Sequence, residues 1–212
     1  MKFKTYKKCR ISQSFQEKDE TYLKNMGSYH TGIDWTCGFG SQVKTDNAGF
    51  VYKVYKPFTR DDNWSAVYLL CPVGDDFMEV CFGHLSKVFV EEGQYIPEDY
   101  VVGLEGNYGT VFSGGKPVSV KKQKEGVTDG SHVHEQWRPV KEVQKTNPKK
   151  HYLRSTDGGF YYDGGYYEIV ETNSANGCIN PLQYNKTNSI IETIGNIENI
   201  INYLRDRFKT LY

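Results

Sequence analysis

Short runs of β-branched and aromatic residues, each closed off by Gly, Pro, Asn or Asp, set the tightest limit on how this chain can fold. They are GFVYKVYKPF at 49–58, SAVYLLC at 65–71, FMEVCFGHL at 77–85 and GGFYYDGGYYEIVE at 158–171, and each reads as a strand. The PVGDD between Cys71 and Phe77 predicts one hairpin connection and DGG at 163–165 a second, because Gly and Asp tolerate the positive φ angles of tight turns. Sequential antiparallel pairing follows. Seventeen Tyr, 21 Gly and 15% aromatic residues suit short strands and tight turns better than a helical bundle. Only the C-terminal segment changes period: Ile190, Ile194, Ile197, Ile201, Leu204 and Phe208 alternate at spacings of four and three, which predicts one helix. Ser189 and Glu192 supply its capping box. The stripe is shorter than the three to four heptads of a coiled coil, so packing onto the parent domain is expected.

The 212 residues suffice for one large β-type domain, or one domain with an appendage. Twenty-six basic and 26 acidic residues cancel, which argues against a nucleic-acid partner or a membrane surface held by charge. No apolar run approaches the roughly 18 residues of a membrane span. The opening MKFKTYKKCR is followed by the polar ISQSFQEKDE, where a secretory signal needs about 7 to 15 apolar residues, so no export signal is expected. The five cysteines are scattered and contain no C-x-x-C pair. A disulfide framework is therefore not expected, the one pairing left open being Cys71 with Cys81 on neighbouring strands. The stretches 111–130 and 141–154 are polar and basic, and read as solvated excursions from the core.

Four of only five histidines sit in short motifs: His30 in HTGID, His84 in FGHLS, and His132 with His134 in SHVHE. On a strand, residues two and four apart share a face, so His30 and Asp34 can converge on one ion and His132 and His134 can do likewise. Zinc takes imidazole nitrogen and carboxylate oxygen, and a catalytic site supplies three protein ligands with a fourth position for water. His84 follows Met78, Val80 and Phe82 at every second residue, which turns it inward on the apolar side of its strand. Any one of these motifs alone reads as a satisfied core histidine; their joint occurrence points to a metal site.

The ordered series HTGID, GSQV with AGFVYKV, FGHLS, GQYIPEDYVVGLEGNYG and GSHVHE resembles the lysostaphin-type zinc metalloendopeptidases, which cleave the peptide part of bacterial peptidoglycan. The resemblance runs from about Ile11 to Arg138. It implies a mainly β fold of antiparallel sheets forming a groove, like a duplicated hybrid motif, with Zn2+ at the groove floor. It also implies that His30, Asp34 and His134 hold the metal while His132 and His84 assist catalysis. The expected division is a peptidase domain over 1–184, with insertions at 111–130 and 141–154, and a C-terminal helix over 185–212. A wall hydrolase without an export signal suggests a bacteriophage product, an endolysin or a tail-associated lysin, with phage tail proteins as further partners. It would sit in the virion or the host cytoplasm before lysis. The alternative is a non-catalytic structural or glycan-binding module on the same fold in a phage tail; the presence of every ligand and both assisting histidines favours the enzyme. A carboxypeptidase trimming terminal D-alanine fits the order and spacing less well.

The chain also departs from that family. Between GNYG and SHVHE it places about twenty residues, with Lys121, Lys122 and Lys124 among them, expected to wall the groove. Tyr22 and Tyr29 read as groove wall. GLEGNYG lacks the Lys-Ser/Thr of a phosphate loop and reads as a turn. Cys37 is turned away from Asp34 by its odd spacing. His151 reads as a surface residue, and NWS at 63–65 and NKT at 185–187 match glycosylation acceptors by pattern only.

Overall fold

The structure, a computed structural model, describes residues 9–17, 20–73, 75–145, 153–154, 159–170 and 175–184. The chain opens with β1 (Arg10–Gln13), α1 (Glu20–Met26), β2 (Ile33–Thr36), β3 (Gln42–Lys44) and β4 (Gly49–Tyr55). A long hairpin of β5 (Ala66–Val73) and β6 (Asp76–Gly83) leads to the short β7 (Lys87–Val88), β8 (Tyr95–Ile96) and β9 (Val101–Leu104). The small hairpin β10 (Phe112–Ser113) and β11 (Lys116–Pro117) precedes α2 (Val120–Lys124) and the longest strand, β12 (Val133–Val143). Then come β13 (Leu153–Arg154), β14 (Phe160–Tyr162) and β15 (Gly165–Ile169). Each of the four segments read from sequence contains strand: β4, β5 and β6 in the first three, and the pair β14 and β15 in the fourth. The helix predicted over 190–208 lies outside the described residues, and the expectation of a single helix is corrected by α1 and α2, two helices too short to carry a legible apolar period.

Among the described residues ten strands form one antiparallel sheet in the order β13-β14-β15-β12-β6-β5-β4-β8, with β2 on a second part of the β12 edge and β1 on β2. At 11 residues β12 is long enough to take two partners in succession on one edge. It pairs with β2 over Val133–Glu135 and with β15 over Val140–Val143, while β6 runs along its other edge. In the β5–β6 hairpin the strands extend into the expected loop, through Pro72 to the pair Val73 and Asp76. The second expected hairpin turns at Asp163 and Gly164, both at positive φ (47° and 83°), as a two-residue connection demands.

Alternation gives the sheet two different faces. One face buries Trp35, Val51, Val67, Leu69, Val80, Phe82, Val133 and Trp137 against side chains from the small sheet β3-β9-β7 and its loops, among them Val43, Leu85, Val90 and Val102. Buried among them, the Glu135 carboxylate accepts hydrogen bonds from the indole N–H groups of Trp35 (3.1 Å) and Trp137 (2.9 Å), which offsets its desolvation. The other face carries His134, Gln136, Arg138 and Val140 along β12, and ends in a second cluster of Tyr52, Leu70, Val140, Phe160 and Tyr167.

The cysteine expectation is also corrected. Cys9 and Cys37 form a disulfide, tying β1 to the turn after β2. Cys71 and Cys81 are free and buried, and register explains why: Cys71 pairs with Met78 whereas Cys81 pairs with Tyr68, so they lie three rungs apart and on opposite faces.

Candidate metal centre

The polar end of the second face opens into a cleft of about 580 Å³ whose floor holds the motif residues. Asp34 on β2 stands directly opposite His134 on β12. His30 does not share a strand with Asp34, contrary to the sequence reading, because β2 begins only at Ile33. The chain instead bends at Gly32, where a Cβ would lie 2.4 Å from the Glu135 carbonyl oxygen and 2.9 Å from His134 Cε1. Glycine is therefore required there, and the bend brings His30 back over Asp34.

Three ligand atoms meet. His30 Nε2 lies 3.0 Å from Asp34 Oδ1, His134 Nδ1 lies 2.9 Å from the same oxygen, and the two nitrogens are 3.0 Å apart. All three residues are buried. Lone pairs that face one another this closely repel unless a proton or a cation lies among them. Two imidazoles and a carboxylate match zinc's donor preference, and tetrahedral zinc at about 2.0 to 2.2 Å would set its ligands roughly 3.3 to 3.6 Å apart, a few tenths of an ångström wider than here. The residues present thus fit a divalent ion of this kind.

Neighbouring groups aim these ligands. His30 Nδ1 donates to the Ser14 carbonyl (3.0 Å), which leaves Nε2 with its lone pair toward the cluster. The Thr31 hydroxyl donates to Gln136 Oε1 (2.8 Å) and lies 3.5 Å from His134 Nε2, the ring nitrogen that points away from the cluster. Burial pushes the Asp34 carboxyl upward, but the charge of His132 and hydrogen bonds from His134 and His30 outweigh it and hold the group well below its ordinary range. Burial opposes a charge on His30, yet Asp34 overcomes this and raises its pKa. Tyr22 lines the cleft edge-on to His30, and burial together with Asp34 pushes its phenol up to about 12.

The other two motif histidines stand beside the cluster. His132 lies just before β12; its Nδ1 donates to the Gly130 carbonyl (2.8 Å), and its Nε2 is 3.4 Å from Asp34 Oδ2. His84 departs from the alternation read in sequence. β6 ends at Gly83, and His84 adopts a left-handed backbone (φ 63°). It leaves the apolar face and joins the cleft, its ring 4.5 Å from that of His132 and edge-on to Trp64. Its Nδ1 donates to the Tyr108 carbonyl (2.8 Å). Burial, reinforced by His132 and His134, drives its pKa well below the ordinary histidine value.

Several neighbours were not legible in sequence. Trp64 and Gln136 line the cleft, and Glu105, from the motif read as a turn, is wholly buried beside it. The long insertion contributes Thr110–Gly114 and Gly130 to the cleft wall, but it is not merely a solvated loop. Ser119 caps α2, and buried Gln123 accepts from Asn63 Nδ2 (2.9 Å) and donates to the Gly109 carbonyl (2.7 Å). Lys121, Lys122 and Lys124 point to solvent.

No family model matches this chain, and no curated protein matches it in sequence. Solved structures do. The catalytic domain of the antimicrobial peptidase lysostaphin from Staphylococcus simulans is similar at 14% identity and a TM-score of 0.48, over 84% of this chain and 92% of that one. A mutant catalytic domain of the prophage-encoded M23 protein EnpA from Enterococcus faecalis has 19% identity and a TM-score of 0.45, over 65% and 86%. A zinc containing peptidase from Vibrio cholerae has 21% identity and a TM-score of 0.43, over 66% and 37%.

Proposed function

We propose that this chain is a zinc-dependent endopeptidase of the lysostaphin type that hydrolyses a peptide bond in the stem peptide or cross-bridge of bacterial peptidoglycan. The observation that carries the reading is the meeting of His30, Asp34 and His134 donor atoms at about 3 Å, from segments 100 residues apart in the chain, on the floor of a cleft. The motif order from HTGID to GSHVHE supports it.

Zinc, when bound, brings the pKa of a bound water down to about 7 and polarises a carbonyl. The chain's own groups then handle protons. His132 presents Nε2 to the cleft, 3.4 Å from a carboxylate oxygen of Asp34, where it is placed to take a proton from a donor in the cleft. His84 is kept neutral by burial and by its imidazole neighbours, and with Nδ1–H committed to Tyr108 its Nε2 is an acceptor. His132 is thus the proton carrier, and His84 orients a donor of the substrate or the attacking water. The setting we propose is a bacteriophage lysin, released at lysis or mounted on the tail.

Purified peptidoglycan incubated with the zinc-loaded protein should release new amino termini, with the cut located by mass spectrometry of the fragments. His132→Ala should keep zinc and lose at least 100-fold in turnover, within the usual range for acid–base groups, while His30→Ala should lose both. Absence of cleavage on several wall chemotypes would turn the reading to a binding module. Equal loss of zinc in the two variants would overturn the separation of ligand from proton carrier.

A further inference from the structure

Glu105 has no part in the chemistry just proposed, yet its side chain reaches both halves of the site. It is 0% exposed. Its Oε1 accepts hydrogen bonds from the hydroxyls of Thr36 (2.8 Å) and Ser131 (2.8 Å). Its Oε2 accepts from the backbone N–H groups of Cys37 (2.8 Å) and Gly38 (3.1 Å). Four donors on one buried carboxylate are what its desolvation demands, and charge-assisted bonds of this kind are about twice as strong as neutral ones.

The partners are not arbitrary. Thr36 ends the strand that carries Asp34, Cys37 and Gly38 follow it directly, and Ser131 immediately precedes His132. The three ligands need no such link: β2 and β12 are hydrogen-bonded with Asp34 opposite His134, and His30 is held by the Ser14 carbonyl. His132 falls just outside that ladder. Its backbone is held by an isolated bridge to Gly106, the residue after Glu105, with His132 N–H donating to the Gly106 carbonyl (3.0 Å). Gly106 is itself wedged in place, since a Cβ there would lie 2.4 Å from Ser86 N and 2.7 Å from the His84 carbonyl oxygen.

We infer that Glu105 is a positioning residue: by gripping Ser131 and the end of β2 with one carboxylate, it sets His132 against Asp34. The kinetic consequence rests on the proposed hydrolase reading, whereas the positional one does not. Ser131→Ala removes only the tether. Glu105→Gln weakens it, because a neutral amide must replace a charged acceptor for one donor pair, though the rotating hydroxyls can turn to accept.

Four forms of the full chain test this: Ser131→Ala, Ser131→Thr, Glu105→Gln and the double Ser131→Ala/Glu105→Gln. Residue-resolved hydrogen exchange should show the His132 amide opening about tenfold or more faster in Ser131→Ala, less so in Glu105→Gln, with Val80 and Val140 unchanged. Zinc affinity, measured by chelator competition, should stay within about threefold. On wall fragments kcat should fall about tenfold or more at unchanged KM, a magnitude expected when a reacting group is displaced by a fraction of an ångström. Ser131→Thr should restore most of both, and the double variant should be no worse than Ser131→Ala, since both cut one link. Unchanged His132 exchange in Ser131→Ala, additive effects in the double variant, or zinc affinity falling in step with kcat would each overturn the inference. If the unmutated protein cleaves nothing, the hydrolase reading fails while exchange and zinc affinity still judge the clamp.

Discussion

His84 occupies a place where burial and two imidazole neighbours oppose a positive charge, while His30, on the other side of His134, is held by Asp34 in a place that favours one. The two therefore contribute to stability with opposite signs. A histidine depressed in the fold stabilises fully above about pH 6.5 and loses that contribution as pH falls, since the unfolded chain then binds a proton the fold rejects. A histidine raised in the fold stabilises below about pH 6.5 and loses its contribution as pH rises through its folded value. In the metal-free protein, His84→Gln should flatten the fall in stability on the acid side of pH 6.5, and His30→Gln should flatten the decline on the alkaline side. Urea unfolding of the three proteins from pH 5 to 8 checks this, and parallel curves would refute it. Because zinc needs neutral imidazole, the raised His30 also means that zinc binding should strengthen as pH rises through that range. At this scale the histidines and Asp34 were legible because each motif is local. Trp64, Glu105 and Ser14 were not, because each acts through a contact with a residue at least 16 positions away.

Between β1 and the turn after β2, the Cys9–Cys37 disulfide closes a loop with a sequence separation of 28. A loop of that length constrains the unfolded chain by roughly 3 to 4 kcal/mol in the chain-entropy account. The tie is placed to act on the cleft: β1 offers Arg10 and Ser12 to its wall while Ile11 packs on the core. Cys9→Ser/Cys37→Ser should therefore lower the urea midpoint by an amount that reductant reproduces in the parent protein and not in the variant. Asp34 and His134 stay aligned through the ladder of β2 on β12, whereas His30 is held through Ser14 just after β1, so zinc affinity should weaken without being lost. A parent protein indifferent to reductant would show that the bridge carries no stability. In the large sheet β4, β5, β6, β14 and β15 were legible from alternation and turn residues, but the excursion read over 141–154 is corrected, since β12 runs on to Val143 and pairs there with β15. The bridge was not, since Cys9 and Cys37 become neighbours only when β1 lies antiparallel on β2.

Across the molecule, one long strand organises both core and site. β12 buries Val133 and Trp137 on one face and presents His134 and Gln136 on the other, so the packing that stabilises the sheet also fixes the cluster. Ile179, Leu182 and Tyr184 pack against the rim of the main core. Under the proposed division at 184, a chain ending there should keep its zinc affinity and a thermal midpoint within a few degrees of the full protein, as differential scanning calorimetry would show. Collapse of that truncated chain would make 185–212 part of the core. Sequence alone determined the segments of β4, β5, β6, β14 and β15, the tight hairpin turn at Asp163–Gly164 and the residue types able to bind a metal, because periodicity, turn chemistry and donor chemistry are properties of a few adjacent residues. Tertiary structure alone decided that His30 folds back over Asp34, that His84 leaves the apolar face, that Cys9 finds Cys37 and that Glu105 joins the two halves of the site. Each of these depends on distant strands coming into register, and register is set by the packing of the whole sheet.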